Sequence, residues 1–174
     1  QREGRGFDPL CPLQEKYIIM IIWIASYPKS GNTYLRSFLA SYYYSDDGKF
    51  EFEQLSQIRQ FPNIKFSKSK MYTPEDASKN WIINQNAFFN KENFYLVKTH
   101  NCLYPFKENQ FTSINETLAA IYIVRDPRNV ITSLTHHYSL DYKKAFNHMI
   151  NEQATLLETS FDKDFSNFTF LNSW

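Results

Sequence analysis

Ile18-Ile-Met-Ile-Ile-Trp-Ile-Ala-Ser-Tyr-Pro-Lys-Ser-Gly-Asn-Thr-Tyr-Leu-Arg36 decides the fold. Its first part, Ile18 to Ser26, is an apolar run too short to span a bilayer, and it predicts a strand buried on both faces. Its last part opens a predicted helix from about Thr33 to Tyr44, in which Tyr34, Phe38 and Tyr42 share one face with Leu35 and Leu39 beside them. Asp46-Asp-Gly48 then ends the helix as a turn. The loop between strand and helix presents unpaired N–H groups and the positive end of a helix dipole, a combination that binds phosphate or sulfate. Lys29 adds a mobile cation, Ser30 and Thr33 add hydroxyls, and Gly31 permits close backbone approach. Because Gly31 follows the lysine, the loop departs from G-x-x-x-x-G-K-[ST], which disfavours a nucleotide kinase and gives Mg²⁺ chemistry of that type no support.

Two later segments extend the pattern. Phe94-Tyr-Leu-Val-Lys-Thr-His100 is a β-prone run ending in a cation and a histidine. Ile121-Tyr-Ile-Val-Arg-Asp-Pro-Arg-Asn-Val-Ile-Thr-Ser133 is a strand followed by a helix start, with Asp126 as N-cap and Pro127 in the first helical position. Taken with Pro28-Lys-Ser-Gly31, these motifs resemble, in type, order and internal spacing, the sulfotransferases that use 3′-phosphoadenosine 5′-phosphosulfate (PAPS) as sulfonate donor. The resemblance covers the N-terminal portion of that domain. It implies an α/β fold of three layers, a P-loop-like parallel sheet flanked by helices, with ligands at the carboxyl ends of the strands.

The family's roles carry over residue by residue. The resemblance implies that Ser30, Gly31, Asn32 and Thr33 cradle the 5′-phosphate, with Asn32 replacing a commoner threonine. Lys29 would contact the oxygen linking phosphorus to sulfur, where charge develops, and Lys98 would converge on the same group. His100 would be the general base. Arg125 and Ser133, eight positions apart, would hold the 3′-phosphate. Tyr34 stands where relatives carry a tryptophan stacked on the adenine. The implied function is sulfonate transfer from PAPS to a hydroxyl or amine, leaving adenosine 3′,5′-bisphosphate (PAP), with no metal. The alternative is a nonenzymatic fragment or degenerate homologue that holds PAP without turnover. The acceptor, a small molecule or a glycan, and the oligomeric state are left open.

Composition sets limits. Nineteen Lys+Arg against eighteen Asp+Glu leave the chain nearly neutral, so neither a nucleic acid nor an acidic membrane is an expected partner. Cys11 and Cys102 are too few for a zinc site or disulfide framework, and a reducing, cytoplasmic setting is expected. His136, His137 and His148 are expected at the surface or the edge of a pocket.

Further elements are read from periodicity. Helices are predicted over 52–59, 77–89, near 115–119 and over 142–157, with a polar surface loop over 65–70 and strands over 94–99 and 120–124. The helix after Pro127 is expected to turn Val130, Ile131, Leu134 and Tyr138 inward, and the last one Ala145, Phe146, Met149 and Leu156. Tyr42–Tyr44, Phe88–Phe89 and Tyr104–Phe106 are expected in the core, the last group beside an acceptor pocket. Residues 1–19 read as an upstream or artificial extension. Met20 onward resembles the opening of a bacterial sulfotransferase, and residues 20–174 are expected to form the N-terminal part of one domain that continues beyond Trp174.

Overall fold

Alternate residues of a strand face opposite ways, so an uninterrupted apolar strand needs cover on both sides. In a computed structural model describing residues 20–89, 94–156 and 164–172, strand β1 (Ile21–Ser26) meets that need at the centre of a parallel sheet. Helix α1 (Asn32–Tyr44) follows the loop, and β2 (Arg59–Gln60), α2 (Pro74–Lys79) and α3 (Trp81–Phe88) precede β3 (Tyr95–Thr99). Then come β4 (Thr117–Ile123), α4 (Pro127–Tyr138), α5 (Tyr142–Ile150) and a hairpin of β5 (Thr155–Leu156) with β6 (Thr169–Phe170). The four parallel strands lie in the order β2-β3-β1-β4, and Ile21 of β1 pairs with Tyr95 on one side and Thr117 on the other. The expected α/β architecture, a parallel sheet with helices on both faces, is therefore present. The proposed extension over residues 1–19, Cys11 and Trp174 lie outside the described residues.

Three apolar clusters explain the layers. Ile21 and Trp23 point to one face and pack with Phe61, Phe66, Ala77, Trp81, Phe89 and Phe111 beneath α2 and α3. Ile24 points to the other, where Ala40, Leu35 and Leu39 bring α1 onto the sheet beside Ile58 and Leu96. A third cluster, Tyr27 with Val130, Leu134, Ala145 and Met149, joins α4 and α5 to the end of β1. Arg36 of α1 donates from Nη2 to the carbonyls of Leu55 and Ile58, at 2.9 and 2.7 Å, and so fixes the segment that leads into β2.

Several expectations are corrected. The Leu35/Leu39 side of α1 faces the sheet, which turns Tyr34, Phe38 and Tyr42 outward at 83, 65 and 73% exposure. Tyr43 and Tyr44 are likewise exposed, and so are Phe146 and Tyr138, whereas Phe89 is buried as expected. The helix read over 77–89 begins earlier, where Thr73 Oγ1 accepts from the Asp76 N–H at 3.0 Å and Pro74 occupies the first turn, and it breaks into two at Asn80. Of 52–59 only 52–56 is helical, as a 3₁₀ turn, because Arg59 and Gln60 pair with β3. Within the expected loop over 65–70, Lys65 and Phe66 belong to a 3₁₀ turn. No helix forms near 115–119; β4 already starts at Thr117, where pairing with β1 overrides local preference. Helix α5 stops at Ile150, and Leu156 is instead a strand residue facing Thr169, while Leu157 lies outside the described residues.

Candidate functional site

Strands β1 and β3 end side by side, Ala25 opposite Thr99, so the loop after one and His100 after the other emerge at the same edge of the sheet. Strand β4 ends beside them, Ile123 opposite Ser26, and delivers Arg125 and the start of α4. Around these ends lies a cavity of about 620 Å³. Lys29, Gly31, Asn32, Thr33, Lys98, His100, Arg125 and Ser133 line it together, joined by Pro28, Gln60, His137, Tyr138, Leu156, Asn167 and Thr169. Of the residues singled out in the sequence, Ser30 and Tyr34 do not line it; Ser30 is buried and Tyr34 projects into solvent. None of Tyr104–Phe106 lines it either, and Phe106 packs instead on Phe168 and Phe170.

The loop owes its shape to two left-handed residues. Lys29 has φ 68° and Gly31 φ 105°, a region costly for a residue with a Cβ. Arg125 braces the first, donating from Nη1 to the Lys29 carbonyl at 2.9 Å. Gly31 caps α1 without any side-chain hydrogen bond, which leaves the first-turn N–H groups available to a ligand. A Cβ at Gly31 would meet no protein atom within 4 Å, so the requirement there is conformational, and the space beside it stays open to an anion. Asn32, first residue of α1, is buried and ties the loop to the sheet, its Nδ2 donating to the Ile24 carbonyl at 2.9 Å and to Ser26 Oγ at 3.1 Å.

His100 is held by β1. Its Nδ1 lies 2.7 Å from the Ser26 carbonyl oxygen and 3.2 Å from Ser26 Oγ. A carbonyl only accepts, so Nδ1 carries the proton and donates it, and the lone pair sits on Nε2. Burial pushes the imidazole pKa down to about 4, reinforced by Lys98, Arg36 and Lys29 and opposed by the bond to Ser26. His100 is therefore neutral at pH 7, an available proton acceptor among cations. Lys98 donates from Nζ to Gln60 Oε1 at 2.7 Å. On the same side, Asn101 Oδ1 accepts from the Phe170 N–H and the Cys102 N–H donates to the Phe170 carbonyl, both at 2.8 Å, which seats the β5–β6 hairpin beside His100.

Gln60, Asn167 and Thr169 are polar lining residues that sequence reasoning missed, and Tyr138 and Leu156 line the cavity too although the sequence reading turned them inward on helices. The one available signal was Pro62, which disfavours helix at the residue before it and so argues against extending a helix through this segment. Among the described residues no cluster of His, Cys, Asp or Glu could hold a metal ion, and no helix is long and apolar enough to cross a membrane.

Comparison with known families gives one result that bears on this geometry: the Sulfotransferase domain family model matches residues 21–174. No curated protein matches the chain.

Proposed function

The chain belongs to the sulfotransferase domain family, and on that premise we propose that it moves a sulfonate group from PAPS to a hydroxyl or amine, with His100 as general base. One observation carries the reading: residues from all three strand-end motifs line a single cavity, which brings Lys29, Lys98 and Arg125 together with a neutral imidazole. The residues present fit the donor. The uncapped start of α1, the open space at Gly31 and the Lys29 side chain suit a 5′-phosphate. Arg125 keeps donors beyond the one that braces Lys29, and with Ser133 it suits a 3′-phosphate. When bound, PAPS would supply the sulfonate: the S–O bond to its 5′-phosphate would break with the electron pair staying on PAP, and sulfur would bond instead to the acceptor oxygen or nitrogen.

His100 Nε2 takes the acceptor proton, while the Nδ1–H bond to Ser26 holds the ring in the tautomer this requires. The proton then passes from the imidazolium to solvent. Lys29 and Lys98 offset charge on the leaving phosphate, with Gln60 orienting Lys98. Ser26 and Asn32 position His100 and the loop without touching the reacting atoms.

Calorimetry tests the donor assignment. PAP should bind more tightly than AMP, which lacks the 3′-phosphate, and Arg125→Ala should weaken PAP by about 1.5 to 3 kcal/mol, the range for a hydrogen bond to a charged group, and weaken AMP far less, through loss of the brace on Lys29 alone. Equal affinities for PAP and AMP would remove Arg125 and Ser133 from the site.

A further inference from the structure

We propose that the acceptor is a carbohydrate hydroxyl, recognised by the amide NH₂ groups of Gln60 and Asn167. The inference rests on the sulfotransferase reading above and concerns the part of the cavity built from β2 and the β5–β6 hairpin.

Each amide has its oxygen committed to a donor-only partner. Gln60 Oε1 accepts from the Lys98 ammonium at 2.7 Å, and Asn167 Oδ1 accepts from the Ile64 N–H at 2.6 Å. Neither partner can accept, so the oxygen must face it, and the NH₂ is the end of each side chain left to bond a ligand. Thr169, the third polar group here, has only a long 3.4 Å contact to the Asn167 carbonyl. All three residues line the cavity, and both amide segments are tied to the Lys98–His100 side of it, Gln60 directly and the hairpin through Asn101. This part of the cavity therefore offers several fixed N–H and O–H donors close to the base.

The chain is rich in aromatic residues, but those nearby are spent elsewhere. Phe61, Phe66, Phe168 and Phe170 are buried in the core, which leaves Pro28, Leu156 and the Tyr138 ring as the apolar contacts in the lining. A phenol or sterol presents one oxygen, the one that reacts, and would desolvate both NH₂ groups without giving them partners. A sugar presents neighbouring hydroxyl and ring oxygens to those donors and a C–H face to Leu156. Its reacting O–H gives the proton to His100 Nε2 as the oxygen bonds to sulfur, and PAP departs with the electron pair.

Saturation-transfer NMR on the full chain with saturating PAP tests this, using N-acetylglucosamine, galactose and lactose against 2-naphthol. Gln60→Glu and Asn167→Asp keep the oxygen that Lys98 or Ile64 needs and replace the NH₂, so they remove the donor while preserving the fold contact. The expected result is saccharide binding that weakens about tenfold or more in each variant, with PAP kept saturating throughout. Naphthol binding without saccharide binding, or saccharide binding that ignores both variants, would overturn the carbohydrate assignment and leave the donor reading intact. Failure of the chain to bind PAP by calorimetry would overturn the donor reading and this inference with it.

Discussion

Replacing His100 by Asn should remove an acid-labile component of stability. The free imidazole titrates near 6.5; in the folded chain burial first, then Lys98, Arg36 and Lys29, push it down to about 4, against the upward pull of the Ser26 carbonyl. Below pH 6.5 the unfolded chain therefore binds a proton that the folded chain does not. Stability rises with pH wherever the unfolded state holds more protons, so this contribution is intact above 6.5 and is lost as pH falls toward 4. With those two pKa values the loss from pH 7 to pH 5 is about 2 kcal/mol, approaching about 3 kcal/mol near pH 4. Asn offers an N–H to the Ser26 carbonyl but does not titrate. Urea unfolding followed by tryptophan fluorescence at pH 7 and pH 5 measures both proteins. His148, whose pKa burial also lowers, titrates in each and cancels in the comparison. The wild type should lose about 2 kcal/mol more than His100→Asn over this window. Equal losses would show that the fold does not depress the His100 pKa, and the buried, cation-flanked setting read for it would fall with that.

Binding of PAP should raise the His100 pKa, because its phosphates offset the positive charge of Lys98 and Lys29; an imidazole NMR titration that does not move would place the anion elsewhere. Asn32→Leu should cost about 1 to 3 kcal/mol by leaving the Ile24 carbonyl and Ser26 Oγ without their donor, and an unchanged thermal midpoint would refute that link. Asp126→Ala removes the N-cap of α4, whose Oδ1 accepts from the Arg128 N–H at 2.9 Å, and should cost about 1 kcal/mol in chemical unfolding. Trp81→Ala, which empties the space between Phe111 and Phe168, should cost about 3 to 5 kcal/mol in the same assay.

The site was legible where chemistry and local signals coincide. A buried strand followed by a glycine turn and a helix marks residues 21–44, and Asp126-Pro127 marks the next helix start, so the loop, His100 and Arg125 could be ordered along one sheet edge. Gln60 and Asn167 escaped because a two-residue strand carries the first and a three-residue 3₁₀ turn just before another such strand carries the second, and segments so short have no period of their own. Arg59 opposite Val97 and Thr155 opposite Phe170 are pairings between distant segments. Leu156 illustrates the converse. It continues the helical spacing of Ala145 and Met149, yet it is a strand residue of the hairpin, half-buried against the α4–α5 cluster and facing the cavity. The aromatic residues of α1 misled for a related reason: spacing groups them on a face but does not say which face the sheet selects, and Leu35 and Leu39 decided it.

The pairing of β1 on both sides also has a kinetic meaning. Its neighbours come from residues 95–99 and 117–123, so the loop after β1 is synthesised long before the histidine and arginine that complete its surroundings. Contacts so remote in sequence close late and make folding slow. The cavity is accordingly a property of the finished sheet, and a half-assembled chain offers a ligand only an isolated loop. A ligand that needs all three strand ends selects fully registered molecules and adds about 2.7 kcal/mol of apparent stability at a hundredfold excess over its Kd. If the donor proposed above is that ligand, its cellular pool would also act as a quality check on the fold.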